Sequence, residues 1–367
     1  MVDSQILKST LLLSAHKELG AKLAPFGGWL MPIQYSGIIE EHNWTRTSAG
    51  LFDICHMGEF MVEADLAKSN LGNLVTVNLE SMPDGACRYG FLLNEQGGII
   101  DDLLVYRISK AKWMIVVNAS TTDGDYAHMR KHLKNDVSFE NVSASLGKLD
   151  LQGPESKEVL RSLAGSGIDA LKYYTFSYFD LMGEKIIISR TGYTGELGYE
   201  LYMPNEKILA LWNKILGDSR VKPVGLGARD TLRLEMGYGL YGQDEDDQTS
   251  PLEAGYDKFI NWNKDFIGKP ALLKQKERGV DRRLIAFSAD SRRSPRHNYR
   301  IIYKDNDIGA VTSGSFSPSL GIGIGMGYVA SKIALGEQII LTENAVTILA
   351  KVVDKPFYKS GSAKQGT

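Results

Sequence analysis

The chain has 367 residues, with 42 Lys+Arg against 44 Asp+Glu for a formal net charge of −2, and is 43% hydrophobic and 23% charged. This is the balance of a soluble globular protein, and it excludes a chain-wide nucleic-acid binder, which is basic along at least one domain. At roughly 150 residues per domain the length suits two or three units, each able to bury a core without a metal or disulfide staple. Only Cys55 and Cys87 occur. Neither sits in a CxxC or Cys/His cluster, so no metal site is expected and a reducing compartment is the default. No apolar run reaches the ~18 residues of a membrane span. The apolar LKSTLLLSA near the start lacks a basic flank and a cleavage site and leads into an amphipathic pattern, so the reading is cytoplasmic.

Taken in chain order, FLLNEQGGIIDDLLVY (91–106) reads as a hairpin turning at Asn94–Gly98, followed by a strand at 113–118. A helix over 123–134 puts Tyr126, Met129 and Leu133 on one face. A second helix, 155–164, follows Pro154 and stops at Gly165. A strand at 185–189 precedes a third helix, 205–216, with Asn205 as N-cap and Gly217 past its end. The polar run KQKERGVDRR (274–283) reads as a linker, which divides the chain into 1–273, a link at 274–281 and a small all-β domain at 282–367. That last part includes a strand at 339–343 and a tail, 359–367, expected to fray. Strands and helices alternate without regular βαβ spacing, and 38 glycines imply many turns. The fold class is α+β.

Three segments carry candidate chemistry. In GGIIDDLLVY (97–106) two adjacent carboxylates lie between apolar pairs, where burial without a partner is costly. Strand alternation sends one of Asp101 and Asp102 into a pocket and the other away; capping a turn or pairing with arginines remains open for both. RTGYTGELGYE (190–200) offers glycines for close backbone approach, Tyr193 and Tyr199, and Glu200 as a partner for a planar pair of N–H groups. From the residues alone a hairpin with aromatic cross-strand packing is the simpler reading of this segment. In GLGARDTLRLEMGYGLYGQD (225–244), Arg229 and Arg233 are four apart on a helix starting near Ala228, suited to a planar ligand or to structural ion pairs. GIGIGMGYVA (321–330) lacks the leading strand and following helix of a dinucleotide site and reads as a turn or bend. Cys55–His56 reads as a buried thiol beside a structural histidine.

These segments, in order with FGGWLMPIQY (26–35), LFDICHMG (51–58), VVNAS (116–120), SPLEAG (250–255) and TSGSFSPSLG (312–321), resemble the aminomethyltransferase family, the T-protein of the glycine cleavage system. The resemblance spans about residues 10–358. Cys55 stands where the family usually has Ser, and Leu197 where Asp or Ala is common. Family-like sequence from residue 10 leaves little room for an organellar transit peptide. The resemblance implies a three-domain cloverleaf, with a tetrahydrofolate site in its channel and a C-terminal β domain. It implies transfer of a methylene from the aminomethyl-lipoyl arm of the H-protein to tetrahydrofolate, with release of ammonia and no metal. The second Asp of the IIDD motif, Asp102, maps to the catalytic carboxylate. Glu200 and Arg229 map to the folate site, bordered by Tyr193, Asn118, Tyr89 and Met57. Arg296, in SPRHNYRI, matches the family's R-xxx-P/Y pattern and counts with the folate set, and Tyr358 in KPFY closes the site from the C-terminal end.

The alternative within this group is a folate-dependent methyltransferase or demethylase acting on a small S-, O- or N-methyl donor; Asp102 argues against it. A non-enzymatic folate-binding relative carries a KGCYxGQE-type motif, where this chain has DFIGKPALL (265–273). The net charge also conceals a local excess. Residues 274–300 hold nine Lys/Arg against three acids, a sum of +6 that leaves −8 for the rest. A solvated linker and a steering surface for an acidic carrier both fit.

Overall fold

A computed structural model describes residues 7–330 and 332–365. The chain passes back and forth between two sheets before closing a barrel. The first sheet has six strands in the order Phe176–Leu181, Glu184–Ser189, Gly198–Pro204, Leu146–Gln152, Ala49–Asp53 and Val221–Pro223. The second has five: Cys87–Leu93, Ile99–Ser109, Lys112–Val117, Gly58–Glu63 and Ser138–Asn141. Ala49–Asp53 and Leu146–Gln152 pair side by side although the whole second sheet lies between them in sequence, so the two sheets are intertwined.

Period-two burial decides which way each strand faces. On the first sheet Leu149, Leu151, Leu201 and Ile188 pack against Val159 and Leu160 of helix Ser156–Ala164 and Leu211, Trp212 and Ile215 of helix Ile208–Leu216. On the second, Val105, Trp113, Ile115 and Val117 pack on Met129 of helix Thr122–His132. Each fully buried side chain of this size contributes about 1.5–3 kcal/mol. The remaining faces meet through Cys87, Tyr106, Met114, Val116, Phe176, Ile187 and Tyr202. From this seam the strands run on to polar positions.

The barrel closes in the order Arg283–Ala289, Ile322–Val329, Asn306–Ser317, Arg300–Tyr303, Gln338–Glu343 and Val346–Val353. Its Ala286, Ile324 and Met326 dock on Leu234 of helix Leu226–Glu235, together with Phe357. The class is therefore α+β with a closed β-barrel at the C-terminal end, as the pattern implied. No helix among the described residues is long and apolar enough to cross a membrane.

Four local expectations need correction. Asn205 does not cap its helix: a 3-10 turn, Asn205–Lys207, precedes Ile208–Leu216, and the Asn205 side chain donates to the Ala144 carbonyl instead. The polar run at 274–283 is helical in its first half, because Lys269–Arg278 starts with Pro270 in its first turn, buries Leu272 and ends at Gly279 with φ +88°. GIGIGMGYVA is a barrel strand rather than a turn; a Cβ at Gly327 would lie 2.4 Å from the Ala310 carbonyl, so glycine lets the strands approach. The tail is docked, not frayed, up to residue 365. The amide of Ala363 donates to the Gly195 carbonyl, Leu197 N–H to the Ser362 hydroxyl, and the Arg190 guanidinium to the carbonyls of Ala363 and Gln365. Residues 366 and 367 lie outside the described residues.

Candidate functional site

The strand Leu146–Gln152 carries Lys148, Asp150 and Gln152 on the face opposite Leu149 and Leu151, and all three are 0% exposed. Opposite them in register on Gly198–Pro204 stand Tyr202, Glu200 and Gly198. Glycine at 198 leaves room for the Gln152 amide: a Cβ there would lie 2.0 Å from its nitrogen and would displace that side chain. This buried polar stripe is charge-balanced. Lys148 Nζ lies 3.2 Å from Glu200 Oε1, and the Thr191 hydroxyl donates to Glu200 Oε2 at 2.5 Å. Burial pushes the Glu200 carboxyl up, but the Lys148 ammonium, the Thr191 bond and the Arg229 charge outweigh it and hold it below its ordinary value. Arg229 reaches across from helix Leu226–Glu235 to Asp150 Oδ2 at 2.7 Å. Even so, burial, with the Glu200 charge adding to it, raises Asp150 to about 7.

The second sheet supplies the contrasting group. On Ile99–Ser109, Asp101 is fully buried toward Asp125 of helix Thr122–His132, and Asp102 is half-buried toward Tyr89. Asn118, just past Lys112–Val117, ties the two together. Its Nδ2 donates to Asp101 Oδ1 at 2.8 Å and to Asp102 Oδ1 at 2.7 Å, and its backbone N–H to Asp101 Oδ2 at 2.9 Å. Burial first, then the neighbouring Asp101, raises Asp102 to about 7, so that it exchanges a proton near neutral pH. Among the described residues no group of three or more His, Cys, Asp or Glu is arranged to hold a metal ion.

The other sequence candidates fall at different distances from this centre. Tyr193 lies under the Arg229 guanidinium, 4.9 Å from ring centroid to carbon, and donates to the Gly239 carbonyl. Met57 Sδ is 3.6 Å from Lys148 Nζ. Tyr89 packs edge-on to Phe91 and Phe259 beside Asp102. Tyr358 stands further back: its ring covers the Arg46 guanidinium at 4.1 Å, and its N–H donates to the Glu235 carbonyl. Arg296 is exposed in the loop before Arg300–Tyr303, and among the described residues no hydrogen bond or ion pair joins its side chain to the others. Arg233 takes the structural option, fully buried between Asp230, Asp244 and Ser313. Cys55 and His56 do not form a nucleophilic pair. The Cys55 sulfur contacts the Lys148 carbonyl at 3.3 Å, burial pushes its thiol up, and burial lowers His56 to about 4.

Sequence reasoning missed Lys148, Asp150 and Asp125. The first two lie in KLDLQ (148–152), whose strict alternation also describes a strand with one face in water. Asp125 was detectable: it is four residues before Met129, hence on the apolar face of its helix, where a carboxylate is out of place.

Two facing sheets thus bring a buried, charge-balanced stripe and a carboxyl raised to about 7 into one site, an arrangement suited to acid–base chemistry. A family model described as the GCVT N-terminal domain matches residues 12–264, and one described as the glycine cleavage T-protein C-terminal barrel domain matches 282–359. The aminomethyltransferase of Halothermothrix orenii is 46% identical over 356 residues, 96% of this chain and 100% of that protein. That of Flavobacterium psychrophilum is 43% identical over 359 residues, again 96% and 100%. The crystal structure of glycine cleavage system aminomethyltransferase T from Bartonella henselae superposes with a TM-score of 0.91 at 34% identity, covering 97% of this chain and 99% of that one. The chain belongs to the glycine cleavage T-protein family and is, with it, an aminomethyltransferase.

Proposed function

We propose that this site takes the methylene of an aminomethyl group held on the lipoyl arm of the H-protein and passes it to tetrahydrofolate. The products are 5,10-methylenetetrahydrofolate, ammonia and the dihydrolipoyl carrier. The observation that carries this reading is Asp102, a carboxyl raised to about 7 and aimed by Asn118, beside the charge-balanced stripe of Lys148, Glu200, Asp150 and Arg229. The attacking folate nitrogen must shed a proton as it bonds the donor carbon, and a carboxylate titrating near the working pH is suited to receive it. Glu200 offers the planar acceptor that a pterin's adjacent N–H groups require. Arg229, Tyr193, Tyr89, Met57 and Asn118 complete the folate set, and Arg296 and Tyr358 would close its outer rim. Enclosing folate and the carrier arm in one channel makes their encounter effectively unimolecular.

The same reading gives the basic segment a use. Lys276, Arg278, Arg282 and Arg300 are paired with Asp257, Asp281, Glu253 and Asp307. Arg292 and Arg293 have no carboxylate partner among the described residues and stand exposed on the barrel, where they would steer an acidic lipoyl carrier in the cytoplasm. The deciding experiment measures ammonia release from aminomethylated H-protein with and without tetrahydrofolate. Acceleration only with folate supports the reading. No acceleration, alongside demethylation of a small methyl donor, replaces it with the methyltransferase alternative.

A further inference from the structure

We propose that Asp101 and Asp125 hold one proton between them, and that this pair, acting through Asn118, sets the charge beside Asp102 and aims its carboxylate. The inference rests on Asp102 serving the transfer reaction proposed above, and it makes Asp101 and Asp125 positioning residues.

The hydrogen-bond inventory forces the proton. Asp101 and Asp125 are both 0% exposed. Asp101 already accepts from Asn118 on each of its oxygens, Oδ1 at 2.8 Å and Oδ2 at 2.9 Å. Neither Asp125 oxygen has a hydrogen-bond partner: the nearby Thr121 hydroxyl donates to the Asn118 carbonyl at 3.1 Å, and the Asp101 carboxyl is the other group within reach. Two buried carboxylates in contact, with no cation among their strongest influences, cannot both be ionised. The groups facing the pair add no positive charge either: Asp102 from its own strand, and Tyr241 and Glu245 from the segment after helix Leu226–Glu235. A single O–H from Asp101 to Asp125 gives Asp125 its donor. It also leaves Asp101 neutral, one residue from Asp102, so that burial, the larger of the two influences on Asp102, carries its rise and the Asp101 charge adds to it only when the pair loses its proton. Asn118 then spends one side-chain N–H on that neutral acid and one on Asp102, so the amide plane fixed by Asp101 fixes the direction of Asp102. Burial drives both members in the same sense, Asp101 well above the carboxylate range and Asp125 to about 7.

Only one of the two conservative substitutions raises Asp102, a difference that a merely structural role does not produce. In Asp125→Asn the new amide N–H donates to Asp101, which loses its proton and places a negative charge beside Asp102. The acid limb of the pH–rate profile for folate-dependent transfer should then move up by about one pH unit, close to a tenfold loss below the limb. In Asp101→Asn no charge can form there, and the limb should stay or move down even if the plateau falls. An unmoved limb in Asp125→Asn, or limbs rising in both variants, overturns the proposal. Infrared spectra of wild-type protein with ¹³C-labelled aspartate test the pair without activity. At pH 8 a protonated aspartate band should be present in the wild type and lost in Asp125→Asn. Its absence from the wild type overturns the proposal even if both variants fail to fold. Failure of folate-dependent ammonia release in the wild type would instead remove the functional reading and leave the spectroscopic result standing.

Discussion

The two inner faces handle buried charge in opposite ways. On the first sheet each carboxylate has a cation: Lys148 for Glu200 and Arg229 for Asp150. On the second, Asp101 and Asp102 share the Asn118 amide, Asp125 stands behind Asp101, and no cation is paired with any of the three. Glu200 is held below its ordinary value, whereas Asp102, and Asp150 despite its arginine, are each raised to about 7. A buried ammonium in contact keeps Glu200 charged, while burial without a cation leaves Asp102 able to exchange a proton near neutral pH.

That contrast can be broken, most severely at Asp102. Asp102→Asn should lower folate-dependent ammonia release by about 10²–10⁴-fold, the usual weight of a general acid–base group, while folate affinity stays within a few-fold. Turnover near wild type would place the proton transfer elsewhere. The same variant checks the electrostatics. A carboxyl whose folded pKa is raised above its unfolded one stabilises the fold below the unfolded pKa, and that contribution is lost as pH rises to about 7. Urea melts should therefore show Asp102→Asn gaining stability relative to wild type between pH 4 and 8.

On the charge-balanced face the largest effect is structural. Lys148→Met leaves Glu200 buried without its ammonium and should cost about 3–5 kcal/mol of unfolding free energy, read by denaturant titration. Glu200→Ala, which also frees Lys148, should chiefly weaken tetrahydrofolate binding, by about 10- to 100-fold in calorimetry, as expected for a charged hydrogen bond worth about 1.5–3 kcal/mol. Unchanged affinity would remove Glu200 from the ligand face. The smallest effect belongs to the barrel surface. Reversing the charge of Arg292 and Arg293 should raise the KM for H-protein a few-fold at low salt and abolish its salt dependence, since exposed charges are screened beyond a Debye length of about 10 Å.

The parts of this architecture that repeat a period were legible in the chain. The helices at 122–132 and 156–164 bury the residues that their 3.6 spacing aligns, and IIDD announced its two carboxylates because they interrupt an apolar strand. Lys148 and Asp150 were hidden for the opposite reason. Their alternation is regular, and nothing within one strand distinguishes a face toward water from a face toward another sheet. Asn205 and the glycine strand at 322–329 misled because the deciding contacts, the Ala144 carbonyl and the neighbouring barrel strand, lie far along the sequence. The docked tail was beyond local reasoning altogether, since its partners stand 166 residues away.

That tail ties the order of synthesis to the completion of the site. The turn Gly195–Leu197, two residues from Tyr193, is hydrogen-bonded to Ser362 and Ala363: it accepts from their N–H groups and donates the Leu197 N–H to the Ser362 hydroxyl. Synthesis reaches those residues only after the barrel strands, so both sheets can assemble on the nascent chain while this turn still lacks its anchor. The turn beside Tyr193 is thus set after the strands that flank it, and its order depends on a segment that belongs to neither sheet.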